Sequence, residues 1–274
     1  MTNLSTLHPD RTLVIIDGVD ECATEQDQER FLTLIADVLA RTRIPLALRF
    51  LICSRPEVHI EETFNMQNMK QVARAVVLDD KFAPSDDIRR YLEDEIFRIF
   101  TRRHLSPLPS DWEIQYLVAN ASGQFVYAST VVKFVDDDDD DSHPMEQLDI
   151  ISSLRTVDSS SPYAQLDQLY IQILSQQPDV RLLRDIFVLI IALGEPRFQF
   201  ICRRLRISEE KVRLKLRKMH SLLQISDSSI TTYHRSLHDF FLDKERAGIY
   251  QIHPARVALV RLPETMRRFA IRFY

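Results

Sequence analysis

The stretch TLVIIDGVDECATEQDQ, from Thr12 to Gln28, decides the predicted fold of this chain. Four consecutive aliphatic residues end at Asp17, and after a glycine and a valine come two further acids, Asp20 and Glu21. A β-branched, fully apolar run is typical of a strand that is buried on both faces of a sheet. Because three acids at one strand end repel one another, the pattern predicts a site for a cation.

The residues after this stretch alternate between helical and extended patterns. Residues 25–41 carry apolar side chains at helical spacing, and the runs LALRFLICS and VARAVVL, residues 46–54 and 72–78, are typical of buried strands. A strand, a helix and a strand at this spacing predict a parallel sheet. We therefore predict an α/β core over residues 1–83.

The composition of the chain excludes several classes of protein. Its 274 residues are 45% hydrophobic and 27% charged, with a formal net charge of −5, which is typical of a globular protein and not of a whole-chain binder of nucleic acid or membrane surfaces. The first residues carry no signal-peptide pattern, and the three separated cysteines form no disulfide framework or metal motif. We expect an intracellular protein, located in the cytoplasm.

A mainly helical region is predicted to follow the α/β core. Residues 84–135 predict a helical subdomain, with Ser85 as the N-cap of its first helix. The apolar face of that helix would consist of Ile88, Leu92, Ile96 and Ile99. Six consecutive aspartates repel one another, so residues 136–160 are predicted to be an exposed acidic linker. A calcium site is the alternative there, although the run lacks the charge spacing and the turn glycine of a calcium loop.

The last part of the chain has the element order of a winged-helix domain. Residues 161–250 predict a leading helix, three helices, two short strands around a Ser/Asp turn and a final helix. Residues 251–274 are predicted to be a tail that starts a further helical region. The helix over residues 209–220 is basic, and DNA-binding winged helices place their recognition helix at this position. DNA binding is therefore an alternative function, although the hairpin ISDSSIT carries no basic residue.

The combined motifs resemble a known family. LVIIDGVDEC followed by LICSRP is similar to the NACHT domain of STAND-class P-loop NTPases. ASGQFVYASTVV, SSPYAQLDQLYIQIL and YHRSLHDFFLD resemble the helical and winged-helix parts of fungal nephrocystin-3-like NACHT proteins. The resemblance covers roughly residues 11–250. It implies part of a P-loop NTPase sheet, then a helical subdomain and a winged helix, in a nucleotide-dependent switch related to NOD-like receptors.

The resemblance also implies a role for individual residues. Asp17 matches the Walker B aspartate that coordinates Mg²⁺, and Asp20 and Glu21 match the acidic pair near the γ-phosphate, one of which would act as the base. Arg55 matches the sensor 1 arginine that faces the phosphates. His234 matches the winged-helix histidine that contacts the β-phosphate of bound ADP. In the intact family the cofactors are ATP or ADP with Mg²⁺.

One motif of the family does not occur in this sequence. The phosphate loop G-x-x-x-x-G-K-[ST] is absent, and its backbone donors supply most of the phosphate binding. We therefore expect that this chain alone binds ATP or ADP weakly or not at all and does not hydrolyse ATP, with Asp20 and Glu21 vestigial. In this class the P-loop strand lies between the sensor 1 strand and the strand after it, so its absence predicts two open sheet edges.

The leading prediction is thus a fragment of a STAND/NACHT signalling switch of the innate-immunity or incompatibility type. The alternative is a nucleotide-independent interaction module that pairs, through its sheet edges or helical faces, with a second copy or a full-length relative. His234 and His238 also suggest zinc, but Arg235 stands where the zinc-protease signature has glutamate, and no third ligand is evident. Protein partners are expected, and neither nucleic acid nor membrane is.

Overall fold

In the computed structural model of the chain, the described residues are 12–22, 24–41, 48–78, 84–137, 142–154, 161 and 163–262. The chain divides into a first unit, Met1–Asp79, and a second unit, Asp80–Tyr274. A parallel two-stranded sheet with helices forms the first unit, and the second unit is mainly helical. The predicted order, α/β followed by mainly α, is therefore confirmed.

The first unit begins with a parallel strand–helix–strand arrangement. Strands β1 (Thr12–Asp17) and β2 (Leu48–Cys53) pair in register, and helix α1 (Glu25–Arg41) connects them. Helices α2 (Val58–Asn65) and α3 (Gln67–Val72) follow. A parallel pair of strands needs such a crossover connection. Helix α1 provides it, as the helical spacing of residues 25–41 predicted.

Only one face of this sheet is buried among the described residues. Ile16 and Ile52 pack against a small apolar cluster drawn from α1, α2, α3 and the turn after β1, made of Val19, Leu32, Ala36, Ile60 and Met69. On the opposite face Leu13, Ile15 and Leu51 are 56%, 63% and 51% exposed. The prediction that the strand is buried on both faces is therefore wrong, because no helix that the structure describes in this unit covers the second face.

The predicted third strand over residues 72–78 is also wrong. Helix α3 ends at Val72, and Ala73–Leu78 forms neither helix nor strand. Val76, Val77 and Leu78 are 64%, 74% and 82% exposed. A run of β-branched residues favours a strand only where a neighbouring strand offers its backbone, and the described part of the sheet contains no strand that pairs with this segment.

The second unit starts with four helices: α4 (Pro84–Arg102), α5 (Asp111–Ala121), α6 (Phe125–Val135) and α7 (Pro144–Ser152). The predicted apolar face of α4 is confirmed, since its four members are buried. The helix begins at Pro84, a residue favoured in the first turn, so Ser85 lies inside the helix and is not its N-cap. Helix α5 begins with a capping box in which Ser110 and Glu113 bond each other's backbone N–H.

The predicted acidic linker over residues 136–160 is wrong in its described parts. Asp137 is only 7% exposed, and Lys218 Nζ lies 3.5 Å from its carboxylate, so this aspartate packs because a cation accompanies it. Helix α7 follows and buries Leu148 and Ile151 in the core of the second unit. Residues 138–141 and 155–160 lie outside the described residues.

The remaining elements of the second unit are α8 (Ala164–Ser175), α9 (Val180–Leu193), α10 (Phe198–Leu205), α11 (Glu209–Leu216), β3 (Leu223–Ile225), β4 (Ile230–Thr232), α12 (Ser236–Leu242), α13 (Lys244–Ala247) and α14 (Pro254–Arg261). Strands β3 and β4 form an antiparallel hairpin, and Arg197 adds a single bridge to Ser229. Helix α14 packs against α9, and an Arg256–Asp185 ion pair of 2.6 Å joins them. The predicted tail is therefore part of this core up to residue 262, and residues 263–274 lie outside the described residues.

A continuous apolar core holds the second unit together. Its centre contains the rings of Tyr170, Phe187, Phe240 and Phe241, with centroids 4.4 to 5.5 Å apart in the contacting pairs. Helix α9 is buried almost all around from Ile186 to Ala192, as expected of an apolar run too short to span a bilayer. Among the described helices none combines the length and apolar character that a membrane crossing requires.

Candidate functional site

The candidate site lies at the carboxyl ends of β1 and β2. Asp17 stands opposite Cys53, and the next residue, Gly18, extends the ladder because its N–H donates to the Cys53 carbonyl at 3.0 Å. Gly18 has a φ of +75°, and a Cβ here would lie 3.3 Å from the side chain of Glu21. Only glycine adopts this left-handed conformation without strain, and it turns the chain directly into the short 3₁₀ helix Val19–Glu21.

Asp20 is the buried acid of the site. It is 7% exposed, and its Oδ2 accepts a hydrogen bond of 2.7 Å from Nε of Arg55. Its Oδ1 accepts from the Arg55 backbone N–H at 3.1 Å and from the Ser54 hydroxyl at 3.2 Å. Burial alone would raise the pKa of Asp20, but the hydrogen bonds and the charge of Arg55 outweigh it and hold the pKa below its ordinary value.

The four site residues predicted in the first unit fall into two groups. The structure brings Asp20 and Arg55 together in one ion pair, in which the carboxylate is buried and the arginine is partly exposed, whereas Asp17 and Glu21 remain exposed. A general base works best when its pKa lies near the working pH. The lowered pKa of Asp20 and its ion pair with Arg55 make it a weak base.

Gln28 is a site residue that the sequence motifs did not reveal. Its Nε2 donates to the carbonyls of Asp20 and Cys22 at 3.1 and 3.0 Å, which fixes the acidic turn to α1. Its Oε1 lies 2.6 Å from Nε2 of His59 on α2. The only signal in the sequence was its helical phase, because Gln28 is four residues before the buried Leu32 and faces inward with it.

His234, the remaining predicted site residue, belongs to the second unit. Its Nδ1 accepts the backbone N–H of Ser236 at 3.0 Å and lies 2.6 Å from the Ser236 hydroxyl. The Tyr170 hydroxyl lies 2.8 Å from that serine hydroxyl on the buried side. Because a backbone N–H can only donate, Nδ1 carries no proton, and the neutral ring holds its proton on Nε2.

The neighbouring histidine, His238, is held by contacts inside the second unit. His238 Nε2 lies 2.9 Å from the Thr232 hydroxyl, and burial, with the nearby charge of Arg235, lowers its pKa to about 4. Throughout the described ranges, no three histidine, cysteine or acidic side chains are grouped to hold a metal ion. The zinc alternative thus has no ligand set there, while most of the aspartate run proposed for calcium, residues 138–141, lies outside those ranges.

The described residues do not by themselves fit a magnesium nucleotide. Asp17 offers one exposed carboxylate at the strand end, and the oxygens of Asp20 are occupied by Arg55 and Ser54. The sequence holds no glycine-rich loop to receive the phosphates. Phosphate donors would therefore have to come from another segment or another chain.

Several cationic side chains of the basic helix in the DNA-binding alternative contact other residues of the second unit. Arg213 stacks over the ring of Phe198 at 4.0 Å and donates to the Asp227 carbonyl at 2.8 Å. Lys215 and Lys218 lie 4.0 and 3.5 Å from carboxylates of other elements. The inward side chains predicted for this helix, Val212, Leu216 and Met219, are fully buried. These intramolecular contacts argue against a DNA-reading role.

Comparison with known proteins links the first unit to one family description. A family model described as nephrocystin 3, N-terminal, matches residues 1–55, which include β1, α1 and β2. No curated protein and no solved structure matches the chain. The similarity therefore applies to the strand–helix–strand part and to the acidic turn with its arginine.

Proposed function

We propose that this chain is the regulatory part of a nucleotide-dependent signalling switch of the STAND/NACHT type. In this proposal the first unit contributes the Walker B and sensor 1 half of the α/β core, and the three helices with the β3–β4 hairpin form the winged helix. The similarity of residues 1–55 to the nephrocystin 3 N-terminal family supports the proposal.

The Asp20–Arg55 pair is the observation that carries it. Asp20 follows one strand and Arg55 follows its parallel neighbour, and the two side chains meet at the carboxyl ends of these strands. Ligands bind at this end of the sheet in open α/β folds. Ion pairing there holds the guanidinium close to the acidic turn, in a position to sense a phosphate that competes for it. A surface strand that merely ended in polar residues would not need to bury Asp20.

His234 supports the same proposal from the second unit. With Nδ1 held by the Ser236 backbone, the neutral imidazole presents an N–H donor at Nε2, which suits a phosphate oxygen. In the proposed switch this donor would bind a phosphate of the nucleotide. The phosphate loop itself would be supplied by sequence other than the described residues.

Isothermal titration with Mg-ATP and Mg-ADP tests the proposal in two forms of the protein. The chain alone is expected to show no sub-micromolar binding, because no phosphate loop is present. A form extended by the in-frame upstream coding sequence is expected to bind ADP, and Asp17→Asn and His234→Ala should weaken that binding. Failure of the extended form to bind any nucleotide would refute the switch proposal.

A second function is favoured by the exposed sheet face of Leu13, Ile15 and Leu51. Contiguous exposed aliphatic side chains are typical of pairing surfaces, and within the described part of the sheet β1 and β2 each pair on one side only. In this alternative the chain associates with a second copy, independently of nucleotide. Light scattering over a concentration series should then show a larger mass that Ile15→Lys abolishes, with Leu214→Lys, an exposed residue of α11, as the matched control. A concentration-independent monomer would exclude this alternative.

A further inference from the structure

The second unit contains an open cavity whose described lining consists entirely of charged side chains. It has a volume of about 420 Å³, and Arg181, Arg184 and Asp185 of α9 line it together with Arg256 of α14. Three guanidinium groups against one carboxylate leave an excess of positive charge in one concave place. This contrasts with the negative formal charge of the whole chain.

The single acid of this arginine cavity is already committed. Asp185 Oδ1 accepts a hydrogen bond of 2.6 Å from Arg256, which fixes that guanidinium at the wall of the cavity. Arg181 makes no ion pair or hydrogen bond with any residue that the structure describes. The positive charge of the arginine cavity is therefore not neutralised from within the described part of the chain.

Arg184 lacks hydrogen-bond acceptors for part of its guanidinium group. Its Nε is enclosed and finds no acceptor among the described residues, and its Nη1 reaches only the Ile249 carbonyl at 3.5 Å, the limit of a hydrogen bond. An enclosed donor without an acceptor is unfavourable. An anionic ligand with several oxygens would supply the missing acceptors.

The position of Arg181 and Arg184 on α9 places their positive charges close together. Arg181 and Arg184 are three residues apart and share one helix face, where like charges destabilise a helix. Arg181 also lies in the first turn of α9, where acids are favoured and which itself contains no acidic residue, while Asp179 caps the helix. A bound anion would lower the repulsion between these two guanidinium groups.

We propose that the arginine cavity binds a soluble ligand through a diphosphate group, held by the planar guanidinium groups of Arg181, Arg184 and Arg256. Planar donors bind phosphate oxygens in pairs, and the volume exceeds that of a single ordered water several-fold. None of the lining side chains is aromatic or aliphatic, so a nucleoside base finds nothing to stack on. The arginine cavity shares no residue with the candidate site at the carboxyl ends of β1 and β2. Diphosphate binding here does not require the proposed switch.

Inorganic pyrophosphate is the probe for this proposal. Titration calorimetry of the full chain, at constant ionic strength set with chloride, should show saturable binding to one site. The double variant Arg181→Gln/Arg184→Gln is expected to raise the Kd by about a hundredfold, roughly tenfold for each lost charge-assisted interaction. Arg181→Lys keeps the charge but loses the planar fork and should have a smaller effect.

The matched control is Arg203→Gln/Arg204→Gln, which removes two exposed arginines of α10 and the same amount of charge. Its Kd for pyrophosphate should equal that of the unchanged chain, and thermal melting without ligand should show that both double variants are folded. Equal weakening by both double variants would reduce the effect to non-specific charge attraction and overturn the proposal.

Two further arms separate the sources of the phosphate. ADP should bind no more tightly than pyrophosphate, and any such binding should disappear in Arg181→Gln/Arg184→Gln but persist in Arg55→Gln, which distinguishes this cavity from the proposed nucleotide switch. Co-sedimentation with vesicles that contain phosphatidylinositol bisphosphate, without any response to pyrophosphate, would show a lipid headgroup site and contradict a soluble ligand.

Discussion

The first unit combines a small core with a sheet face of exposed aliphatic side chains, whereas the second unit is built around buried aromatic rings. In the first unit the apolar cluster is small, and hydrogen bonds around Asp20 and Gln28 fix the geometry of the acidic turn. In the second unit one apolar core runs from α4 to α14. The difference indicates that the first unit depends on specific polar contacts and the second on apolar burial.

The largest expected effect tests the apolar core of the second unit. Phe240 is fully buried and contacts the rings of Tyr170 and Phe241 with centroids 5.4 and 5.5 Å away. Phe240→Ala should lower the free energy of unfolding by about 3–5 kcal/mol, because it removes buried area and leaves a cavity. Urea denaturation measures the change. Phe97→Ala, on the 57% exposed Phe97, should change it by less than about 1 kcal/mol, and equal losses would contradict the comparison.

A second prediction concerns the pH dependence of the second unit. The pKa of His238 is about 4 in the folded chain, against an ordinary value of 6.5. The neutral ring thus stabilises the fold fully above pH 6.5, and this contribution is lost as the pH falls towards 4, where the unfolded chain binds a proton that the folded chain does not. The free energy of unfolding should fall by about 3 kcal/mol over this window from this group.

Denaturation at several pH values separates this group from the other histidines. His238→Gln keeps a donor for Thr232 but cannot titrate, so the variant should lose most of the slope between pH 6.5 and 4. His253→Asn replaces an exposed cap of α14 with another good cap and should keep the slope. An unchanged slope in His238→Gln would contradict the assignment.

The third prediction tests whether polar contacts hold the first unit. Asp20→Ala removes the acceptor for Arg55 and Ser54 and should lower the free energy of unfolding by about 2 kcal/mol. This value already allows for the partial exposure of the arginine, which weakens the ion pair. Asp17→Ala, on an exposed acid three residues earlier, should change it by less than about 0.5 kcal/mol. Equal effects of the two substitutions would mean that burial of Asp20 contributes nothing.

The same pair of variants has a defined pH dependence. Because the folded pKa of Asp20 lies below its ordinary value of 3.8, its contribution is present above that value and is lost as the pH falls through the folded pKa. The difference in stability between the unchanged chain and Asp20→Ala should therefore shrink only in acid below about pH 4. A difference that disappears near pH 6 would point to another group.

The sequence was sufficient for the strongly periodic helices and for part of the site, but it predicted a linker where α7 forms. Periodic spacing placed α1 and the buried face of α4, and the motif around Asp20 and Arg55 placed the two side chains that meet. Spacing could not reveal whether a strand finds a partner, so residues 72–78 were misassigned. It also could not show that the cation of Lys218 allows Asp137 to pack, since these residues meet only in the folded chain.

The smallest expected effect concerns the polar contact that links the core of the second unit to His234. Tyr170→Phe keeps the ring beside Phe240 but removes the hydroxyl that lies 2.8 Å from Ser236, so the free energy of unfolding should fall by about 1 kcal/mol. Tyr233→Phe, on a ring that is 47% exposed, should change it by less than about 0.5 kcal/mol. The proton of His234 should stay on Nε2 in both variants, because the Ser236 backbone still donates to Nδ1. Nitrogen NMR of the ring detects the tautomer, and a shift of the proton to Nδ1 in Tyr170→Phe would show that the hydroxyl chain, rather than the backbone, orients this histidine.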